Sequence, residues 1–334
     1  MRNIYILWGV LACMAFTSCY EEDTLTPTEG GVELRFKVPQ GNNSWDNDIA
    51  QIYEDYNVYL IYKDLQKEDF NRSWTGIAYG SGYEGQGCIN DEMTNYYVEF
   101  MKKHIFAYLN PPITSKVLPM YWYLGYNVYS KSVLEVGGVI LASWIVPIHE
   151  NYDGLDYWCT CMFGEDNPSE SYLIPTDREI LDRRRKMILG PVLEKAVKAG
   201  NIIIPEEFEV GFDHVTNLIA GLGMEDDPNF YLTRGYPGSV NTYVFNSISE
   251  PANNSYPPTN EETFIGYMHL SMFYNQARLA EVYPADKYPF LTEKFAFVQK
   301  YLKEKYQIDL EAIANGPEDW DLPLPPIPET PDEE

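Results

Sequence analysis

The chain has 334 residues, and its 50 acidic residues outnumber its 24 basic residues, which gives a formal net charge of −26 at pH 7. A surface of this sign is repelled by phosphate backbones, so the composition argues against nucleic acid as a partner. The length is enough for one large domain or two small ones.

The first residues have the organisation of a secretory signal. Arg2 supplies a positive charge, and the apolar stretch over residues 4–16 is too short to span a bilayer, which takes roughly 20 apolar residues. The stretch leads into FTSC (residues 16–19), which resembles a lipobox. We predict a signal peptide over residues 1–18 and lipid on Cys19, with an ordinary signal beside an unrelated cysteine as the alternative.

The regions outside the expected domain are polar. Residues 19–30 contain proline and glycine among polar residues, which predicts a flexible tether. The acidic run YEED directly after Cys19 resembles an export signal to the outer face of Gram-negative bacteria. We therefore expect a membrane-anchored outer-membrane lipoprotein at the cell surface. A disordered tail is predicted over residues 316–334, because this end is acidic and rich in proline.

Strand and helix patterns alternate in the first half of the expected single domain of residues 31–315. This half covers residues 31–175, and its period-two alternation predicts strands over residues 32–38, 57–63, 117–129 and 136–146. Gly137-Gly138 is expected to form a turn. Helical spacing predicts helices over residues 46–56 and 93–109, and within the second of these His104 is interpreted as a packed residue rather than a ligand.

The second half, residues 176–315, is mostly helical in pattern. Thr176 and Glu179 form a capping-box pattern ahead of a long helix over residues 177–199, with Gly200 beyond its end. Pro205 is placed at the start of a helix that continues to Ile219. Further helices are predicted over residues 261–282 and 290–306, with a short one that begins at residues 309–310. Mixed strands followed by helices indicate an α+β fold.

Aromatic residues are abundant, with 28 Tyr and 7 Trp in the chain. Tyr121-Trp122-Tyr123 is expected to contribute mainly to core packing. Residues 151–168 mix aromatic, acidic and cysteine residues, which predicts an exposed loop or hairpin and makes this segment the first candidate for a partner contact.

Three cysteines, Cys88, Cys159 and Cys161, remain beyond the signal and its lipid site. In an oxidising compartment Cys88 is a candidate to form a disulfide with either of the other two, which leaves one thiol free. A metal site on Cys159 and Cys161 alone is not expected, because no second ligand pair follows.

Several segments resemble corresponding parts of one family: IAQIYEDYNVYLIYKD (49–64), KVLPMYWYLGY (116–126), GGVILASW (137–144), ETFIG (262–266) and FVQKYLKEKYQIDLEAI (297–313). The family comprises zinc metallopeptidase lipoproteins that accompany TonB-linked nutrient importers, described as substrate import-associated zinc metallohydrolases. The resemblance spans most of the mature chain and implies a zincin-like fold. In that family a helix beginning with phenylalanine and HExxH binds zinc.

The chain departs from this family at the zinc helix. Two histidines four residues apart on one helix face bind the metal, and the glutamate between them is the general base. Here the corresponding residues are Asp213-His214-Val215-Thr216-Asn217, so Asp213 and Asn217 replace the ligands and His214 replaces the base. Shifting the register by one residue puts His214 on the first ligand but removes the base and second ligand. The resemblance thus implies a degenerate member without catalytic residues.

Two other interpretations of these positions remain. Asp213, Asn217, Glu262 and His269 would form an atypical metal site if the later helix packed against the first, and zinc would be the cofactor only in that case. Alternatively, Asp213, His214 and Asn217 form a solvated patch on an amphipathic helix.

The sequence therefore favours an inactive, metallopeptidase-like pseudoenzyme that needs no cofactor. It is expected to be an accessory or binding subunit beside a TonB-linked importer and its surface lipoprotein, with a peptide or glycan as ligand. The alternative is a zinc-dependent metallohydrolase with an atypical site, and a third possibility is a surface scaffold without a small ligand.

Overall fold

The computed structural model describes residues 34–72, 82–151, 154–164 and 178–323. The chain divides into two units, Met1–Lys37 and Val38–Glu334. The signal peptide, Cys19, most of the tether and Thr176 of the capping box lie outside the described residues. The strand predicted over residues 32–38 is not formed in its described part, where residues 34–38 have no regular structure. No helix within the described ranges combines the length and apolar character needed to cross a bilayer.

One mixed sheet organises the larger unit. Its strands are β1 (Tyr59–Ile61), β2 (Gly82–Gly87), β3 (Tyr121–Val136), β4 (Val139–Pro147), β5 (Glu150–Asn151) and β6 (Tyr157–Phe163). Strand β3 is central: β1 and β6 run parallel to its first half, β2 pairs antiparallel with its middle, and β4 pairs antiparallel with its second half. Strand β5 pairs antiparallel with β6. A separate ladder joins β7 (Ser239–Val240) to β8 (Ile248–Ser249).

The parallel part of the sheet lies inside the core. Tyr121, Trp122 and Tyr123 are all buried, which confirms the predicted core packing and shows that it extends to both strand faces. Trp122 Nε1 donates to Thr160 Oγ1 at 2.9 Å, so the indole N–H is satisfied within the sheet. Parallel strands are typically covered on both faces, and this explains why strict alternation is absent here.

The exposed loop predicted over residues 151–168 is wrong for residues 157–163, which form the buried strand β6. The polar residues that motivated the prediction flank this strand, whereas the strand itself, YWCTCMF, is an apolar run broken by one threonine. Residues 152–153 and 165–168 lie outside the described part of the chain.

Helices lie between the strands in the first half of the unit and predominate in its second half. They are α1 (Ser44–Tyr56), α2 (Lys67–Phe70), α3 (Asp91–Phe100), α4 (Pro111–Thr114), α5 (Arg178–Lys198), α6 (Glu206–Glu209), α7 (Asn260–Phe273), α8 (Gln276–Val282), α9 (Pro289–Tyr306) and α10 (Leu310–Asn315). A π-helical turn over Met101–Ile105 and a 3₁₀ turn over Phe106–Tyr108 extend α3, close to the predicted range. The helix predicted over residues 261–282 is divided, because Tyr274 is extended and Asn275 caps α8.

The helix predicted from Pro205 to Ile219 is wrong in its length. Only α6 forms, and Pro205 is its N-cap. Gly211 follows with φ +93°, a left-handed conformation that ends a helix, and its missing Cβ would lie 2.9 Å from the ring of Phe290. The next residues therefore cannot present side chains at helical spacing.

Cys88, Cys159 and Cys161 are free thiols, so the disulfide predicted among these three described cysteines is not formed. Cys161 Sγ donates to Phe163 O at 3.3 Å, and burial raises the pKa of this thiol and of Cys88 to about 12.

The first part of the predicted disordered tail, residues 316–323, lies within the described ranges. The indole of Trp320 lies 5.6 Å from the ring of His104, which is itself buried and stacked on Phe100, as a packed residue should be. Residues 324–334 lie outside the described ranges.

Candidate functional site

The segment that corresponds to the family's zinc motif is a turn rather than a helix. Asp213 Oδ1 accepts hydrogen bonds from the backbone N–H groups of Val215 at 2.9 Å and Thr216 at 3.0 Å. A side chain that binds the following backbone in this way competes with helix formation. These hydrogen bonds, chiefly those from Thr216, lower the pKa of Asp213 to about 2, with a smaller contribution from Arg234. We call residues 211–217 the Asp213 segment.

Arg234 organises the Asp213 segment from outside it. Its guanidinium donates to the main-chain oxygens of Asp213, Thr216 and Asn217, the second at 2.8 Å and the third at 3.4 Å. The same group lies 3.3 Å from Asp213 Oδ2 and is only 10 % exposed. The planar guanidinium suits this task because its donors form a fixed fork. One cation therefore satisfies several carbonyls that a continued helix would have bonded internally.

His214 and Asn217 also have protein partners. His214 Nδ1 lies 2.7 Å from Pro258 O, so the proton is on this nitrogen, and Tyr236 OH lies 3.3 Å away. His214 Nε2 is buried and has no hydrogen-bond partner among the described residues. Asn217 Nδ2 donates to the main-chain oxygen of Asn254 at 3.1 Å. These contacts are of the kind that fixes loops to one another.

The two later candidates are engaged separately. Glu262 completes a capping box at the start of α7, where its carboxylate accepts from Thr259 N at 2.8 Å, and this hydrogen bond lowers the pKa of Glu262. His269 is buried on the same helix, with its Nε2 3.7 Å from a carboxylate oxygen of Glu194. Burial lowers the pKa of His269, so at neutral pH this contact is not an ion pair.

The residues present do not fit a zinc ion. The predicted convergence of Asp213, Asn217, Glu262 and His269 is not seen. Across residues 34–72, 82–151, 154–164 and 178–323, no three His, Cys, Asp or Glu side chains are grouped so that they could share a metal ion. The amphipathic-helix interpretation is wrong as well, because the segment is not helical.

A buried lysine lies beneath the Asp213 segment. Lys294 of α9 is 3 % exposed, and its Nζ donates to the main-chain oxygens of Phe208 at 2.7 Å and Glu207 at 3.3 Å. Four phenyl rings surround the ammonium at 5.2 to 5.9 Å, those of Phe208, Phe212, Phe290 and Phe297. Burial lowers the pKa of Lys294. The carbonyls and ring faces favour the charged form, so this lysine has the contacts of a structural cation.

His149, the remaining histidine, lies beside β6. Its Nδ1 is 3.4 Å from Cys161 O and its Nε2 is 3.4 Å from a guanidinium nitrogen of Arg184. Burial, followed by the Arg184 charge, lowers the pKa of His149 to about 4, so the ring is neutral near pH 7. Both ring nitrogens thus contact protein groups.

A polar groove of about 320 Å³ opens where β2 and β3 are out of register. It is lined by Lys67, Glu84, Gly85, Gln86, Asn127 and Tyr129. The Glu84 carboxylate accepts from Lys67 Nζ and from Tyr129 OH, each at 2.7 Å, and these contacts lower its pKa. Gly85 is required at the bulge, because a Cβ there would lie 2.7 Å from Val128 Cγ2. The groove offers amide, phenol and charged groups to a polar ligand.

No sequence pattern pointed to Arg234, Lys294 or this groove. Arg234 follows Asp213 by 21 residues through an irregular loop. Lys294 lies in a helix with several other lysines, and its position in the sequence does not distinguish it from them. The irregular β2–β3 register could be suspected only from the glycines in GYEGQG.

Comparison with known proteins gives one structural neighbour. No family model matches the chain, and no curated protein matches it. A solved structure described as a "putative zinc-binding metallo-peptidase" from Bacteroides caccae is 13 % identical and has a TM-score of 0.41. The match covers 82 % of this chain and 92 % of that one.

Proposed function

We propose that the protein is a non-catalytic binding or accessory subunit, anchored by lipid to the outer membrane, that serves a TonB-linked nutrient importer. One observation carries the non-catalytic part. Where a zinc peptidase of the resembled family has two histidines on a helix, this chain has a turn whose main-chain oxygens are bound by Arg234. A cation of the protein itself thus organises the segment.

The same observation weighs against the atypical metallohydrolase. Catalytic zinc sites use three protein ligands and one open position for water. Asp213, Glu262 and His269 each contact different partners, namely Arg234, Thr259 and Glu194. Assembling them would require breaking an Asx turn, a helix cap and a buried contact together.

The groove between β2 and β3 is the proposed ligand position. Small-molecule sites combine a concave shape with a few polar groups that orient the ligand. The side chains of Gln86 and Asn127 line the groove together with the phenol of Tyr129. Amide and phenol groups offer donors and acceptors to sugar hydroxyls or peptide groups, which is why a glycan or peptide is proposed.

Metal content tests the non-catalytic part. Mature chain with Cys19→Ser, which carries no lipid, is loaded with zinc, dialysed and measured by mass spectrometry and by thermal unfolding with and without chelator. Well below one zinc per chain and an unchanged melting temperature support the proposal. One zinc per chain that is lost in both Asp213→Ala and His269→Ala contradicts it and establishes the metal site.

Ligand binding is tested with oligosaccharide and peptide arrays, followed by calorimetry on any hit. Gln86→Ala removes an exposed groove amide and should weaken binding several-fold, whereas Gln51→Ala on α1 is a matched control that should not. Equal affinity in both variants excludes the groove.

The location and partner are tested in cells. Palmitate label should enter the wild-type protein and be absent from Cys19→Ser. Affinity purification from membranes should recover an importer subunit, and its absence would contradict the accessory role.

A further inference from the structure

A two-stranded hairpin carries the densest group of exposed large apolar side chains, eight of the nineteen among the described residues. It consists of residues 130–147, the end of β3 and all of β4, joined by the turn at Gly137–Gly138 with φ values of +61° and +82°. We call it the hairpin arm. Strand β3 is buried up to Val128, whereas every residue from Leu134 to Val146 is exposed. Within the described ranges β4 pairs with β3 alone, so the outer edge of the arm has no strand neighbour.

The pairing register assigns the side chains to two faces, since directly opposed residues lie on the same face. Leu134 faces Ala142, Ser132 faces Trp144, and Val136 faces Val139. With Val146 these residues form the Trp144 face. The other face, which we call the Ile145 face, holds three opposed pairs: Lys131 with Ile145, Val133 with Ser143, and Glu135 with Ile140.

The two faces differ in charge. Lys131 and Glu135 are the charged residues of the arm, and both lie on the Ile145 face. The Trp144 face is therefore uncharged throughout. Because the arm has no formal net charge while the chain carries −26, two arms can approach each other without bringing acidic surfaces into contact.

The exposed apolar area is larger than a monomer usually leaves open. Eight large apolar residues of the arm are each 47 to 63 % exposed: Leu134, Val136, Val139, Ile140, Leu141, Trp144, Ile145 and Val146. Together they present several hundred Å² of apolar surface, at or above the usual limit for a monomer. Five of the eight lie on the Trp144 face: Leu134, Val136, Val139, Trp144 and Val146. A stable dimer buries about 800 Å² on each partner, so this face can form the apolar centre of an interface but not the whole of it.

A lipid surface is a poorer occupant. Immersion of the arm in hydrocarbon would desolvate the unpaired backbone groups at both edges of a two-stranded ribbon, where no water is present to hydrogen-bond them. It would also immerse Lys131 and Glu135. Stacking of two arms buries the Trp144 face and leaves the edges and both charges in water.

We propose that the Trp144 face is a self-association surface, on which the hairpin arms of two copies of this chain stack face to face about a twofold axis. Such a contact is isologous, so the same face serves both copies and the assembly closes as a dimer. Two packed ribbons lie about 10 Å apart, which allows Trp144 and Leu134 of each copy to interdigitate with the other. This inference is independent of the proposed function.

The test is the mass of the mature chain in solution, with Cys19→Ser so that no lipid is attached. Sedimentation equilibrium over a wide concentration range should give a dimer for this protein. Val139→Thr with Trp144→Thr should weaken the dimer at least tenfold. The matched control is Ile140→Thr with Ile145→Thr on the opposite face of the same arm, where the residues are similarly exposed, and it should remain dimeric. Threonine keeps the strand propensity in both variants.

Three outcomes would overturn the proposal. They are a monomer at every concentration, equal weakening by both double variants, and a monomer that sediments with neutral phosphatidylcholine vesicles through the arm. Circular dichroism and melting temperature, measured on every variant, should match the parent protein, because the substituted side chains are exposed. The proposal is supported if only the Val139/Trp144 variant shifts from dimer to monomer while its fold and melting temperature stay the same.

Discussion

The Asp213 segment and the hairpin arm meet the same physical requirement in opposite ways. The Asp213 segment loses its helical hydrogen bonds after Gly211, and side chains from distant parts of the chain replace them. The hairpin arm keeps its backbone pairing along β3 and β4 but leaves large apolar side chains in water. In the Asp213 segment the groups that lack helical partners are polar, and other side chains of the protein bind them. In the hairpin arm the side chains without a packing partner are apolar, and the described residues do not cover them.

This difference indicates where each region acts. An unpaired buried polar group costs about 1 to 3 kcal/mol, so the contacts of the Asp213 segment contribute to folding stability. An exposed apolar side chain costs the monomer little, and its burial is available to a partner. We therefore expect substitutions in the first region to change the free energy of unfolding and substitutions in the second to change association.

The largest effect is expected for Arg234→Ala. Loss of the guanidinium leaves the main-chain oxygens of Asp213, Thr216 and Asn217 without this donor, and we expect the free energy of unfolding to fall by about 2 to 3 kcal/mol. Arg234→Lys keeps the charge but not the fork and should give an intermediate loss. Urea unfolding measures both. Arg278→Ala, at a pair whose members are 60 and 67 % exposed, is the control and should change stability by under about 1 kcal/mol. An equal loss of unfolding free energy in Arg234→Ala and Arg278→Ala would contradict the stabilising role assigned to the Asp213 segment.

Lys294→Met should have the next largest effect. Methionine fits among the four phenyl rings but cannot donate to the oxygens of Glu207 and Phe208, so about 2 kcal/mol should be lost. Lys300→Met on the same helix is the matched control, since Lys300 is 72 % exposed and its partner Glu304 is 4.0 Å away. A Lys294→Met protein as stable as the parent would show that the carbonyls find water instead.

Asp213→Asn should reduce the loss of folding stability that occurs at acidic pH. The folded pKa of Asp213 is about 2, below its ordinary 3.8, so its carboxylate contributes stability that is complete above pH 3.8 and is lost as the pH falls towards 2. Asparagine keeps the turn but does not titrate, so the variant should lose less stability than the parent over this window. Melting temperatures across the window measure the effect, with Glu304→Gln as an exposed control. Parallel curves for parent and Asp213→Asn would contradict the role of the turn.

The smallest effect on stability is expected in the hairpin arm. Ile140→Thr changes a residue that is 63 % exposed, and we expect less than about 0.5 kcal/mol of change in the monomer. Thermal unfolding at low concentration, where the chain is monomeric, is the measurement. A loss comparable with that of Lys294→Met would mean that the arm packs onto the body of the protein.

Local patterns predicted most helices of this chain. The predicted helix over residues 177–199 matches α5 at Arg178–Lys198, and Gly200 has the expected left-handed φ of +76°. Asp309 caps the last helix, as its position before Leu310 indicated. The turn at Gly137–Gly138 and the strand after it were also predicted, since two glycines beside an apolar strand leave few alternatives. The strand before the turn was predicted to end at residue 129, but it continues to Val136.

The predictions that failed depended on distant contacts. Residues 205–219 have helical spacing, yet Phe290 requires Gly211 to lack a Cβ and Arg234 binds the turn beyond it. Residues 157–163 were assigned by their polar neighbours, although pairing with β3 places them in the core. The exposure of the hairpin arm could not be predicted either, because an exposed apolar strand and a buried apolar strand have the same sequence pattern.

The sequence by itself determined the local structure: helix ends, the hairpin turn and the alternation of strands and helices. These depend on backbone preferences and capping groups within a few residues. Only the tertiary structure decided that the Asp213 segment binds Arg234 rather than forming a helix, that β6 is buried, and that the hairpin arm is exposed. Each of these depends on which groups meet across long stretches of chain, where hydrogen bonding and burial outweigh local propensity.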